Sequence, residues 1–211
     1  KEGLPISASS LKKSIEAGAR KIGGYLDIEQ GSGLLNVVKS WDILKYSGKD
    51  LLKPSKIVVK LPPEKESTEG ITFRDQLQAR LELLLENQFD TSQVIKIASD
   101  QEWLTIAENK NEVILPQGKS QSIMLSYKFP EQPGFYTART VGYSTDSSKP
   151  VVNFMTAAVV PYDLGKTSNI SINGELSPSR WKRYFFKTVP GMSELDITLT
   201  VYEKDKPMGR A

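Results

Sequence analysis

The sequence predicts a mainly β chain: a central β-sandwich, a short helical segment before it, and the opening strands of a second β unit after it. Three observations carry this. From residue 71 onward apolar residues recur with period two. Turn residues punctuate that stretch at the roughly ten-residue spacing of a sandwich of immunoglobulin or fibronectin-III kind. Residues 9–46 instead place apolar side chains at helical spacing.

In chain order, Leu11, Ile15 and Ala19 fall on one side of a helix, with Lys12, Lys13 and Glu16 on the other, and Ser9 or Ser10 supplies an N-cap. Gly18 weakens this helix and Gly23-Gly24 ends it. Tyr25 to Glu29 reads as extended and leads into Gly31-Ser32-Gly33. A second short helix follows Asn36, with Val37, Val38, Trp41 and Leu44 on one face. Two short helices cannot enclose a core, so residues 1–46 are expected to lean on a neighbour. Residues 47–70, rich in Lys, Glu, Ser, Gly and Pro, read as a linker with one apolar run, Ile57-Val58-Val59, fit for an edge strand.

The sandwich is expected over 71–161. Ile71 and Phe73 open a strand, and then Leu77, Ala79, Leu81, Leu83 and Leu85 alternate with Gln78, Arg80, Glu82, Leu84 and Glu86. Leu, Glu, Gln and Arg favour helix by propensity. The strict alternation and the β-like company on both sides decide for strand. Strands follow at 94–98, 103–107, 112–115, 122–128, 135–144 and 151–160, separated by turn signals at 116–118, 130–134 and 146–150. Trp103, Phe135 and Tyr136 are expected in the core. Residues 163–211 start again, with strands over 170–172, 181–189 and 195–201, half of a second β domain. Both ends of the chain thus read as falling inside domains. The start, Lys1 to Pro5, carries neither an initiator Met nor a signal-peptide core.

Composition limits the chemistry. The 211 residues are 38% hydrophobic and 25% charged, with a net charge of +3. The basic residues are scattered, which gives no reason to expect a nucleic-acid or membrane partner. There is no cysteine and no histidine. Disulfides, thiolate or imidazole metal sites, Cys-His pairs and a Ser-His-Asp triad are therefore impossible within the chain. Carboxylate, Lys, Tyr or Ser-Lys chemistry is all that remains, and a Ser-Lys site would need both groups in one pocket. The absence of Cys suits an extracellular, secreted protein, and a cytoplasmic one as well.

The block Gly31-Ser32-Gly33-Leu34-Leu35-Asn36-Val37-Val38-Lys39-Ser40-Trp41 resembles the closing segment of subtilisin-family catalytic domains, where a G-x-G turn leads into the last helix. Leu11 to Arg20 resembles the helix that precedes it. Further on, Trp103, Gly134-Phe135-Tyr136, Val141-Gly142-Tyr143 and the run to Pro161 are similar to the region after the protease domain in tripeptidyl-peptidase II-like subtilases. Gly174 to Pro178, Arg183 to Phe186 and Val189-Pro190-Gly191 look like that group's next, jelly-roll-like module. The resemblance implies that 1–46 is the helical end of an α/β subtilase domain, that 71–161 is an accessory sandwich, and that 163–211 begins a jelly-roll-like domain. It implies a serine peptidase parent whose triad lies upstream of Lys1, since no G-T-S-M segment is present. No catalytic or cofactor-binding residue is therefore expected in this chain. The implied partners are the chain's own upstream catalytic domain, a peptide or protein substrate of the parent, and further copies of the chain. The rival reading is a free-standing extracellular module that binds protein or carbohydrate.

Several residues invite a functional reading. Ser32 does not fit the G-x-S-x-G elbow of a nucleophile, and Asn36 stands where a phosphate loop needs its third glycine. Arg180 to Phe186 interleaves basic and aromatic residues, as single-strand nucleic-acid binders do. One apolar and one basic strand face give the same string. Trp181, Arg183 and Tyr143 are the candidates for a protein or peptide interface. Asp27, Glu29, Asp196 and Glu203 lack calcium-loop spacing, so a calcium site would have to be assembled across loops. Asn169-Ile170-Ser171 is a glycosylation sequon of use only in a eukaryotic secreted protein.

Overall fold

In the computed structural model, residues 7–51, 57–63, 67–106, 111–145, 150–165, 169–177 and 181–201 are described. Nine strands form two sheets packed face to face. One sheet has the order β1 (Ile57–Lys60), β3 (Arg80–Asn87), β7 (Ser120–Tyr127), β5 (Leu104–Ile106). The other has the order β2 (Gly70–Phe73), β9 (Pro150–Val160), β8 (Gly134–Ser144), β4 (Gln93–Ser99), β6 (Glu112–Leu115). Every pairing in them is antiparallel except β2 with β9, which is parallel. From β3 to β8 the chain changes sheet at each step, so consecutive strands face each other across the core.

Period two places every second side chain between the sheets. Leu83, Leu85, Leu125, Ile95, Val152 and Phe154 are fully buried there. The Leu-rich stretch that propensity would make helical is β3, because each inward Leu finds apolar partners on the opposite sheet. Its ladder begins at Arg80, so Leu77 and Ala79 lie before the strand and Leu77 is exposed. Ile57–Lys60 is an edge strand, pinned to its neighbour by Lys60 Nζ, 2.5 Å from Glu86 Oε2. Gln88 and then Lys60 hold the Glu86 carboxyl below its ordinary pKa by hydrogen bonding.

Two polar groups in the sandwich interior fix its geometry. Asn87 is 1% exposed. Its Nδ2 donates to the carbonyls of Thr91, Leu115 and Pro116 at 2.9–3.1 Å, and its Oδ1 accepts from Phe89 N at 2.9 Å. One amide thus ties the end of β3 to the Pro116-Gln117-Gly118 turn, where Gly118 has φ +62°. Tyr127 of β7 faces Thr156 of β9 across the core, oxygen to oxygen at 3.3 Å. Burial pushes the Tyr127 hydroxyl up to about 12. Tyr127, Phe73, Phe129 and Trp103 form one aromatic cluster. Trp103 sits at its rim, partly buried.

Before the sandwich lies an antiparallel helical hairpin of α1 (Ala8–Gly18) and α3 (Val37–Leu51). The N-cap is Ser7, one turn ahead of the expected serines. It exchanges hydrogen bonds with Ser10, each backbone N–H meeting the other's hydroxyl at 3.0 Å. The helices meet through small residues: Ser10, Ser14 and Gly18 on α1, and Ser40 and Leu44 on α3, are buried. A Cβ on Gly18 would lie 2.4 Å from Ser40 Oγ. Of the four apolar residues expected on one face of the second helix, Leu44 is buried against α1, and Val37, Val38 and Trp41 are exposed. Tyr25 to Glu29, expected to be extended, instead leads into a short helix, α2 (Asp27–Gln30). The Glu29 carboxylate there accepts from Leu26 N, a cap that residue-by-residue periodicity does not register.

After the sandwich the expected strands are largely not formed. The described parts of 170–172, 181–189 and 195–201 hold one two-residue ladder, β10 (Tyr162–Asp163) parallel to β11 (Phe186–Lys187). Ile197 and Leu199 stay over 70% exposed. Alternation specifies a strand only when another strand supplies the hydrogen bonds. Among the described residues no helix is long and apolar enough to cross a membrane.

Asn87→Ala removes the side-chain partner of four backbone groups, of which Pro116 O keeps Lys119 N, and is expected to cost about 2–3 kcal/mol in denaturant unfolding with the slope unchanged. The raised Tyr127 hydroxyl favours the neutral form in the folded chain. Stability is therefore complete below pH 10 and declines between pH 10 and about 12, as the unfolded chain loses that proton first. Tyr127→Phe should flatten that decline, measured by urea titration at pH 9 to 11.

Candidate functional site

The feature with the most built-in geometry is the loop between the two helices, and it lies where the hairpin, the sandwich and the C-terminal segment meet. Its base is closed by Arg20 and Leu34, whose backbones exchange hydrogen bonds at 2.8 and 2.9 Å. Gly33 lies against that closure with φ +106°, and a Cβ there would stand 2.4 Å from Arg20 O. Both conformation and space demand glycine. Gln30 crosses the inside, accepting from Ile22 N at 2.7 Å and donating to the carbonyls of Tyr25 and Ile22. Ser32 is an exposed turn residue between the two glycines.

Two carboxylates leave this loop two positions apart. Asp27 accepts from Lys21 Nζ at 2.8 Å and from the Arg139 guanidinium of β8. The other arm of Arg139 reaches Asn153 Oδ1 at 3.2 Å, and the Arg139 backbone N donates to Asp100 at 2.8 Å. The Lys21 ammonium, and then Arg139, hold the Asp27 carboxyl below its ordinary value. Glu29 pairs with Arg183 of the C-terminal segment, whose guanidinium lies 4.2 Å above the Trp181 ring. Pairs this exposed contribute about 0.2–1 kcal/mol each, so they fix register more than they supply stability.

The apolar support lies on the outer face of the five-stranded sheet. Along β9, Val152, Phe154, Thr156 and Ala158 point into the core, so Ala157 and Val159 point outward, yet both are buried. Val159 stands opposite Phe135, whose ring meets Phe185 at 6.0 Å. Phe135 therefore anchors an outer contact, and Tyr136 points its hydroxyl to Gln132 O at 2.7 Å. Neither joins Trp103 in the core cluster.

Of the three interface candidates, Trp181 and Arg183 are brought together. Tyr143 stands eight positions beyond Phe135 on β8, about 26 Å away, and is 43% exposed beside Lys96. Asp27 and Glu29, weighed for calcium, are each occupied by basic side chains; Asp196 is not brought to them, and Glu203 lies outside the described residues. Among the described residues no group of three or more acidic side chains could hold a metal. A shallow cleft of about 360 Å³ beside β5, lined by Ser99, Asp100, Glu102 and Asn111 among others, brings no base to a nucleophile. Sequence reasoning missed Arg139. Its signal was present: it is the one charged residue in the strand Gly134–Ser144.

On the hairpin, Leu11 and Ile15 of α1 and Trp41 of α3 are offset to the same side of the buried seam, and Leu34, Leu35, Val37 and Val38 extend an exposed apolar surface.

No protein-family model matches the chain, and no curated protein does. Among solved structures it is similar to tripeptidyl peptidase 2 (TPP II), at 21% identity and a TM-score of 0.57, over 77% of this chain and 14% of that one. It also resembles the YadV chaperone (12% identity, TM-score 0.35, 49% of this chain and 51% of that one). A family 123 glycoside hydrolase from Clostridium perfringens matches at 10% identity and a TM-score of 0.39, over 51% of this chain and 26% of that one. The first likeness is one of fold, and the chain spans only 14% of that structure's length. Residues 57–160 make up about half of this chain, so coverage of 77% extends past the sandwich.

Asp27 carries a lowered folded-state pKa, so its contribution is complete above the ordinary carboxyl value of 3.8 and is lost as pH falls through the folded value. The stability difference between the wild-type chain and Asp27→Asn should be constant from pH 8 to 5 and close below pH 4. Added salt should shrink it at neutral pH.

Proposed function

We propose that this chain is a non-catalytic segment of a subtilisin-like serine peptidase, in which residues 1–46 close the peptidase domain and 71–161 form an accessory sandwich. The observation that carries this is the fold shared with TPP II beyond the sandwich. The G-x-G block at 31–33, which leads into α3, adds to it.

The role follows from the chemistry that is missing and the surface that is left over. With no histidine the chain supplies neither base nor acid of a triad, so peptide-bond hydrolysis would be performed by the preceding domain of the same polypeptide. The exposed face of Leu11, Ile15, Val37 and Trp41 is then the seat of that domain. The sandwich and the segment after it, including Trp181, Arg183 and Tyr143, serve subunit assembly or limit substrate access.

A fluorophosphonate probe tests the assignment. It should label one serine of the parent polypeptide, upstream of Lys1, and leave the 211-residue chain unlabelled. Labelling within the chain, or none in the parent, would overturn the assignment. The isolated chain should also bind a hydrophobic dye, with Trp41→Ser lowering the signal at least twofold, and the intact parent should not.

A further inference from the structure

We propose that the outer face of the five-stranded sheet, from Arg139 to Phe135, is the docking surface for the loop 20–34, and that seating this loop through Asp27 is what secures the segment 181–187, which Asp27 does not touch. This rests on the geometry of the chain alone and holds whatever the hairpin belongs to.

The two arms differ in stiffness. Arg139 projects from the middle of β8, which is laddered to β9 on one side and β4 on the other. Its side chain is held further by Asn153 and its backbone by Asp100. That arm has a fixed origin. Arg183 projects from a stretch with no ladder of its own, and among the described residues it is tied down nearby by Phe185 on Phe135, by Phe186 on Tyr162 and by the two residues of β11.

The loop between the arms is stiff. Asp27 and Glu29 sit in one helical turn, closed by Gly31 N on Asp27 O at 2.7 Å and by Leu26 N on Glu29 Oε2 at 2.9 Å. The Arg20–Leu34 closure and the Gln30 side chain tie the turn to the rest of the loop. The Asp27–Arg139 pair therefore contributes to where the turn offers Glu29 to Arg183. Coupling of this kind is reciprocal, so loss of the Arg183 arm must weaken the loop by the same factor.

Tryptic nicking of the intact 211-residue chain after Lys182 or Arg183, together with hydrogen exchange across 181–187, reads this directly. Glu29→Gln, which keeps the cap on Leu26, removes the near arm and sets the scale. Asp27→Asn and Arg139→Met should each speed nicking and exchange about two- to fivefold, the factor expected of a partly exposed ion pair. Arg139→Lys should recover part of the protection. Reciprocally, Arg183→Met should speed exchange across 20–34 by a similar factor. Unchanged protection of 181–187 in Asp27→Asn, with Glu29→Gln lowering it, would overturn the proposal. Where Arg139→Met also loosens β7, seen as faster exchange at 123–127, Asp27→Asn decides alone.

Discussion

Exclusion of water from the space between the two sheets is the condition on which the rest of this molecule depends. Leu83 and Leu85 of one sheet and Ile95, Val152 and Phe154 of the other are inaccessible to solvent. Burying a side chain of this size contributes roughly 1.5–3 kcal/mol. Among the polar groups inside that layer, Asn87, Tyr127 and Thr156 have hydrogen-bond partners, whereas the buried Thr140 hydroxyl has none among the described residues. Asn87 is the clearest case: it satisfies backbone groups from two segments far apart in sequence, where an apolar residue would leave them bare.

The outside of the five-stranded sheet follows a second logic. Ala157 and Val159 extend apolar surface onto a face that a lone sandwich would leave wet. The chain covers it with a charged loop and an aromatic segment rather than with another sheet. Hydrophobic contact supplies the adhesion there, and the pairs Asp27–Arg139 and Glu29–Arg183 supply the position. This arrangement sets the helical hairpin, with its exposed apolar face, at a defined place on the sandwich.

The strands of the sandwich were legible in the sequence because alternation is a local signal. Leu81 to Leu85 read as strand against their propensity, and Ile57–Val59 as an edge. The misreadings have one cause, which is that a side chain's environment depends on partners far along the chain. Phe135 alternates as a core residue would, and its partner is Phe185 on the other side of the sheet. The contact between the two helices is made by Gly18 and Ser40 rather than by an apolar row, and nothing near either residue in the sequence announces the other. The segments after residue 163 alternate as strands do, yet among the described residues only Phe186–Lys187 finds a strand to pair with.

The candidate site divides in the same way. Trp181 and Arg183 stood out by residue type, and the sequence could place both on one strip. Asp27 and Glu29 drew attention as carboxylates without calcium-loop spacing, and nothing local says that the cations they meet are Lys21, Arg139 and Arg183. By itself the sequence determined the period-two core, the edge strand, the glycine turn at 31–33 and the absence of any histidine-based chemistry, because these depend on residue type and near spacing. Only the tertiary structure decided which charges pair, which apolar rows are covered and which strands form. Those outcomes are set by contacts between residues as distant in sequence as Glu29 and Arg183, and a linear pattern holds no distance between them.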